Sequence, residues 1–255
     1  MGAGHLAAAG LQSVVRIGIF PGMREEVPIT DVTTADGPDP ERVETWVFDL
    51  DNTLYPASSD LFTQVNARIN AFIASALAID ETAALELQSR YFADYRSSLR
   101  GLMLHHDVEP RRFLDYVHDI DLSPIGPDPD LRAAIEALSG RKVIFTNGST
   151  RHARQVLRQR GLEGLFEDIF DIEAAAYLPK PYPETYHQLI AKNAIVPERS
   201  VLLEDMAINL EPAAELGMTT VWVRDPKRHD ATLERPDYVH HEVTDLTGWI
   251  GSLLA

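Results

Sequence analysis

Asp49 and Asp51 stand two residues apart, directly after the apolar run Thr45-Trp46-Val47-Phe48. A carboxylate in that position can act as a nucleophile, and a second one beside it as a general acid and base. Three further polar groups recur at intervals along the chain: Thr146-Asn147, Lys180 between two prolines in Leu178-Pro179-Lys180-Pro181, and Glu204-Asp205. Together they suit phosphoryl transfer through an aspartate. A carboxylate is repelled by a phosphate dianion, so a divalent cation must bridge them, and Mg²⁺ prefers oxygen ligands. The expected metal set is Asp49, Asp51 and Asp205, with a backbone carbonyl available nearby. Asp51 would protonate the leaving oxygen and then activate water. Lys180 would neutralise the nucleophile and the transferring oxygens, while Thr146 and the N–H groups of the helix after Ser149 would hold the phosphoryl group. Glu204 reads equally as a direct or water-mediated metal neighbour and as an acceptor behind the ligands.

These groups need elements that bring them to one place. Thr45 to Phe48 reads as a buried strand ending in the polar segment Asp49-Leu50-Asp51-Asn52-Thr53; if the extended backbone continues, both carboxylates point to one side. Further strands are expected at 142–146, 168–172, 200–203 and 219–223, separated by helical or loop sequence, which implies a mostly parallel sheet covered on both faces. In such a sheet ligands bind beyond the carboxyl ends of the strands, where Asp49, Thr146 and Asp205 would lie. Ser149 is placed to cap the helix that runs to Arg160, with Val156 and Leu157 inward and Gly161 ending it. Asn209 reads as the cap of a helix with Pro212 in its first turn and Gly217 after it, or as a neighbour of the ligand.

Between the first strand and Lys142 lie about 90 residues of mainly helical pattern, too long for an ordinary crossover. Val65, Ile69, Phe72, Ile73 and Leu77 follow three- and four-residue spacing, as do Leu87 and Tyr91, and Pro110 to Asp119 can supply another helix. The expected organisation is a leader at 1–42, an α/β core at 43–56 and 124–255, and a helical cap at 57–123, with Ser123 to Pro129 as the returning hinge. His105 and His106 are adjacent, so they do not share a helix face and make a poor metal pair. Arg100 and Tyr55 are candidate substrate contacts, or equally a solvated and a packed side chain.

Asp49-Leu50-Asp51-Asn52-Thr53-Leu54 resembles the D-x-D-x-T signature of haloacid dehalogenase-like hydrolases. Thr146-Asn147-Gly148 resembles their second motif, Lys180 their third and Glu204-Asp205 their fourth. The resemblance implies a doubly wound, Rossmann-like α/β fold and a Mg²⁺-dependent reaction through an aspartyl phosphate, with Asp49, Asp51 and Lys180 catalytic and Thr146, Asn147 and Gly148 binding substrate, beside Arg100 as the candidate contact from the cap. An aspartate at position 51 favours phosphate chemistry over carbon–halogen cleavage, since the true dehalogenases lack it. Leu99-Arg100-Gly101-Leu102, Val117-His118-Asp119-Ile120-Asp121 and Asn209-Leu210-Glu211-Pro212 look like the pyrimidine 5′-nucleotidase subgroup, which implies a nucleoside monophosphate substrate. A phosphatase for sugar phosphates, phosphoglycolate or another small acid shares the same catalytic residues, and a phosphomutase or a binding module without chemistry are further readings.

Composition narrows the partners. The chain has 255 residues, with 23 basic and 39 acidic side chains for a net charge of −16. That balance disfavours a nucleic acid polymer or an anionic membrane and favours a small phosphorylated metabolite met at a locally positive site. With no cysteine, disulfides and thiolate metal sites are excluded. No apolar run is long enough to span a bilayer, and no positive charge precedes the short apolar stretch near the start until Arg16, a poor fit to a secretory signal. The expectation is a cytoplasmic monomer or homodimer.

Overall fold

The computed structural model describes residues 37–225 and 234–255. Nearly all of the leader expected at 1–42 lies outside the described residues. In chain order the main elements are β1 (Thr45–Phe48), α1 (Leu61–Leu77), α2 (Glu81–Tyr95), α3 (Ser98–His106), α4 (Pro110–Val117), α5 (Pro129–Ala137), β2 (Arg141–Phe145), α6 (Thr150–Gln159) and β3 (Asp168–Phe170). They are followed by α7 (Pro183–Asn193), β4 (Ser200–Glu204), α8 (Glu211–Glu215), β5 (Thr219–Val223), β6 (His241–Val243) and α9 (Leu246–Leu253).

The strands form one sheet in the order β3-β2-β1-β4-β5-β6, and every neighbouring pair is parallel. β1 lies between β2 and β4, with Val47 opposite Val143 on one side and Leu202 on the other. The chain winds outward from β1 to β3 and then returns across it to β4. That reversal opens a crevice at the carboxyl ends of β1 and β4, where an open parallel sheet takes its ligand.

Strand periodicity divides the core. Trp46, Phe48, Ile144, Val201, Leu203 and Val221 face one side and pack with Leu131 and Ile135 of α5, Val156 and Leu157 of α6, and Ile250 of α9. Val47, Val143, Phe145, Leu202 and Trp222 face the other and meet Tyr186 and Leu189 of α7 and Ala213 of α8. Both faces of β1 and β4 are covered, which is why those strands read as unbroken apolar runs.

Helices α1 to α4 gather around an apolar cluster of their own: Phe72, Ile73, Ala84, Tyr91, Leu99, Leu102, Phe113, Leu114 and Val117, joined by Ile172 from the loop after β3. Gly101 lets α2 and α3 meet, because a Cβ there would stand 2.3 to 2.7 Å from atoms of the Tyr91 side chain. Asp80, Ser97 and Glu109 cap α2, α3 and α4 through side-chain oxygens.

Several local expectations change. The strand expected at 168–172 ends at Phe170, because Asp171 turns to accept N–H bonds from Thr150 and Ala174. Among the described residues β6 pairs only with β5, and it is too short to show a period. Asn209 does not cap α8: it closes a single 3₁₀ turn, Ala207–Asn209, and Leu210 occupies the cap position without a side-chain bond. Ser149 does cap α6, its Oγ accepting the His152 N–H at 3.3 Å, and Gly161 and Gly217 follow their helices at φ of 71° and 95°.

Candidate active site

β1 delivers Asp49 to the crevice, with the Asp49 N–H still bonded to the Leu203 carbonyl at 2.9 Å. The chain then leaves the extended conformation. Asn52 adopts a left-handed φ of 62°, Leu54 N–H bonds back to the Leu50 carbonyl, and the Thr53 hydroxyl donates to Asp49 Oδ2 at 2.8 Å. The expectation that both carboxylates emerge from one extended strand therefore gives way to a tight turn, and the two acids acquire separate partners.

Lys180 is the buried centre of the first set. Its ammonium donates to Asp49 Oδ1 at 2.7 Å, to Glu204 Oε2 at 2.6 Å and to the Phe145 carbonyl at 2.9 Å. Three acceptors match its three protons, which is what lets a lysine sit only 2% exposed. Asn147 Oδ1 accepts the Lys180 backbone N–H at 2.8 Å, so the segment after β2 holds the lysine loop in place. Asp205, next to Glu204 at the end of β4, accepts from Asn52 Nδ2 at 3.3 Å, and its carbonyl takes the Trp222 indole N–H.

Asp49, Glu204 and Asp205 can each present an oxygen within 4.8 Å of the others. Three carboxylates against one ammonium leave a formal −2, and every donor is an anionic oxygen, so the set fits a hard divalent cation. Burial, and then the mutual repulsion of Glu204 and Asp49, overcome Lys180 and push the Asp49 carboxyl up to about 7. Burial, with Asp205 beside it, likewise raises Glu204 to about 7. Burial alone would lower the Lys180 ammonium, but the two carboxylates outweigh it and raise it. The Asp51 carboxylate stands outside this trio, although it was expected among the metal ligands.

Asp51 turns to a second set. Its Oδ1 accepts both the Tyr55 hydroxyl at 2.7 Å and His152 Nε2 at 2.8 Å. Burial works against ionisation, but the charge and hydrogen bond of His152 and the Tyr55 bond prevail and hold the carboxyl at about 2. His118, at the end of α4, stacks on His152 with ring centres 4.4 Å apart and planes 14° from parallel. Burial and the neighbouring His152 push the His118 imidazole down to about 3.

Between the sets lie Thr146 and Gly148. Thr146 Oγ1 accepts the Gly148 N–H at 2.9 Å and keeps its own proton to donate. A side chain at Gly148 would stand 3.2 Å from Thr146 Oγ1, 3.3 Å from the His152 ring and 3.6 Å from Asp51 Oδ2, so the missing Cβ keeps that space open. Two N–H groups at the start of α6, expected to hold a phosphoryl group, have partners already: Thr150 N–H bonds Asp171 and His152 N–H bonds Ser149. Arg100 lies half-buried in the first turn of α3, with its N–H bonded to Ser97 Oγ, and no contact ties its side chain to the Asp49 or Asp51 sets among the described residues. His105 and His106 each bond a tyrosine hydroxyl, of Tyr95 and Tyr91, away from both sets.

His152 and Asn52 had no role on sequence grounds, and His118 appeared only inside a quoted segment. A signal for His152 existed: it follows the cap Ser149 by three residues and precedes Val156 by four, which puts it on the inward face of α6.

A family model described as haloacid dehalogenase-like hydrolase matches residues 43–217. The chain is similar to Phosphate metabolism protein 8 of Saccharomyces cerevisiae, 26% identical over 200 residues that cover 71% of this chain and 61% of the yeast protein, less than two thirds of that relative's length. It is also similar to Glyceraldehyde 3-phosphate phosphatase of Methanocaldococcus jannaschii, 22% identical over 222 residues, or 78% of this chain and 92% of that one. Among solved structures, the HAD-hydrolase YfnB from Bacillus subtilis bound to magnesium superposes with a TM-score of 0.53 at 17% identity, covering 84% of this chain and all of the other, a likeness of fold. With the matched region running from just before β1 to the end of α8 and enclosing all the residues of both sets, the chain belongs to the haloacid dehalogenase-like hydrolases.

Proposed function

We propose that this protein is a Mg²⁺-dependent phosphatase that hydrolyses phosphate monoesters through an aspartyl phosphate, with a nucleoside monophosphate as substrate. The observation that carries it is the separation of two acids: Asp49 tied to Lys180 and Glu204, and Asp51 tied to Tyr55 and His152. This separation supports a reading with Asp49 as nucleophile and Asp51 as acid and base.

Asp49, Glu204 and Asp205 would hold the Mg²⁺, with Glu204 in the place expected of the Asp51 carboxylate. When bound, the ion supplies charge that lets a carboxylate approach a phosphate dianion. An Asp49 oxygen attacks phosphorus, the bond from phosphorus to the leaving oxygen breaks, and Asp51 gives that oxygen its proton. Water then attacks the aspartyl phosphate, Asp51 takes the water's proton, and inorganic phosphate leaves with Asp49 restored. A phosphate dianion arriving beside Asp51 raises its pKa by like-charge repulsion, so the free carboxylate takes up a proton as substrate binds. Lys180 and the Thr146 hydroxyl stabilise the transferring oxygens. The helices at 57–123 act as a cap domain over the 43–56 and 124–255 core and exclude water.

The nucleotide preference rests on the segments around Arg100, His118 and Asn209 that resemble the pyrimidine 5′-nucleotidases. Similarity to a glyceraldehyde 3-phosphate phosphatase over most of that protein's length favours a second reading, a small phosphorylated sugar or acid. Mg²⁺-dependent phosphate release from UMP, CMP, dTMP, AMP, sugar phosphates and phosphoglycolate, with Asp49→Asn as control, decides. Pyrimidine preference in kcat/KM supports the nucleotidase. Preference for the small phosphates replaces the substrate and keeps the chemistry, and release no greater than in the control removes the phosphatase.

A further inference from the structure

Tyr55 and His152 place both of their hydrogen bonds on the same oxygen of Asp51, Oδ1. Two donors on one oxygen fix the carboxylate plane and leave Oδ2 as the free atom. Oδ2 faces Gly148, in the space that the missing Cβ leaves beside Thr146. His152 is only 1% exposed, and its other nitrogen, Nδ1, is buried without a hydrogen-bond partner among the described residues. Leaving a buried ring nitrogen unpaired costs stability, and a histidine kept only to tie helices together would satisfy both nitrogens. The ring commits its one hydrogen bond to Asp51.

His152 is in turn held from the helical insertion. His118 stacks on it and its Nδ1 lies 3.1 Å from the Ser149 hydroxyl that caps α6. Arg151 on the same turn of α6 pairs with Asp115 of α4 at 2.9 Å. The end of α4 therefore rests on the turn that carries His152.

We propose that Tyr55 and His152 are positioning residues that pin Asp51 Oδ1 so that Oδ2 is the oxygen that serves the leaving group, and that His118 makes this hold depend on the insertion lying against α6. The proposal rests on the phosphatase reading above. A pinned acid matters only when the leaving oxygen needs a proton: an alkoxide does, whereas p-nitrophenolate leaves without one. Comparing kcat/KM on an alkyl ester with that on p-nitrophenyl phosphate isolates the step, because kcat/KM ends at departure of the leaving group.

The experiment measures both values, with Mg²⁺, for the wild type, Asp49→Asn, His152→Ala, His152→Gln, Tyr55→Phe and His118→Ala, using UMP and ribose 5-phosphate as alkyl esters. His152→Ala and Tyr55→Phe are expected to lose about tenfold to a hundredfold on the alkyl esters and less than about threefold on the aryl ester. His152→Gln, whose amide can donate from nearly the same position, should recover most of that loss. His118→Ala should show the same selectivity with a smaller loss. Equal loss on both esters in His152→Ala and Tyr55→Phe overturns the positioning role, and a His118→Ala variant without selectivity overturns the link to the insertion. If His152→Ala does not fold, Tyr55→Phe decides alone. A wild type that hydrolyses neither ester above Asp49→Asn removes the phosphatase reading and this proposal with it, an outcome distinct from equal loss in an active enzyme.

Discussion

Lys180 and Glu204 meet at 2.6 Å with almost no exposure to solvent, and the same ammonium reaches Asp49. A buried lysine is tolerable here only because two carboxylates surround it, and the carboxylates are tolerable only because of the lysine. Removing the ammonium leaves its buried carboxylates uncompensated, which costs about 3 to 5 kcal/mol. Lys180→Met is therefore expected to lower the urea midpoint substantially at pH 8 without metal and to reduce kcat/KM by at least about a hundredfold. An unchanged kcat/KM would remove Lys180 from the site.

Glu204→Gln acts in the opposite sense on folding. It removes one of two carboxylates that repel each other and keeps an acceptor for Lys180, so metal-free stability at pH 8 should hold or rise while Mg²⁺ binding weakens. Isothermal titration of the variant with Mg²⁺, beside its urea midpoint, checks both. Wild-type affinity would place Glu204 outside the metal set.

The raised carboxyls give the metal-free protein a pH dependence. Asp49 and Glu204 titrate near 7 when folded, against 3.8 and 4.5 as their ordinary values. Their folded-state pKa lies above the unfolded one, so their contribution to stability is full below about 4 and is lost as pH rises through about 7. Asp51 runs the other way: held at about 2 against 3.8, it stabilises the fold above about 4 and loses that contribution as pH falls through 2. His118, held at about 3 against 6.5, weakens the fold as pH falls below 6.5, but two raised carboxyls outweigh one imidazole between pH 5 and 8, so the metal-free protein should have a lower urea midpoint at pH 8 than at pH 5. Mg²⁺ displaces the protons that both carboxyls retain, so as pH rises towards 7 its Kd should tighten by up to about tenfold per pH unit for each proton displaced, and level off above 7. Equal midpoints at the two pH values, with pH-independent Mg²⁺ binding, would contradict the assignment.

Asp49→Asn keeps the side-chain shape and an acceptor for Thr53 or Lys180, so the variant should fold with a midpoint at pH 8 at least equal to the wild type. Its phosphate release should fall to background, because an amide is not a competent nucleophile. Full activity would end the covalent mechanism.

Gly101→Ala tests the insertion apart from the chemistry. Its Cβ would overlap the Tyr91 side chain at 2.3 to 2.7 Å, which forces α2 and α3 apart or turns Tyr91 away from His106. Overpacking of this kind costs about 1 to 3 kcal/mol, read as a fall in the thermal or urea midpoint. An unaffected midpoint would mean that the two helices yield at little cost.

Sheet class, the long run of helices between β1 and β2, and the places of Asp49, Thr146 and Asp205 just beyond their strands were legible from the chain alone. Each depends on a local pattern: an apolar run ending in acids, helical spacing sustained over several turns, a cap before a helix and a glycine after it. Patterns end where partners are distant in sequence. Asp51 was read with the metal group because it is two residues from Asp49, but the turn at Asn52 sends its carboxylate to Tyr55 and His152, the latter a hundred and one positions away. Asn209 looked like a cap because Pro212 follows it, yet an intervening 3₁₀ turn shifts the start of α8. Only packing of α4 against α6 brought His118 onto His152, since ring stacking and a hydrogen bond between segments leave no periodic trace in either one.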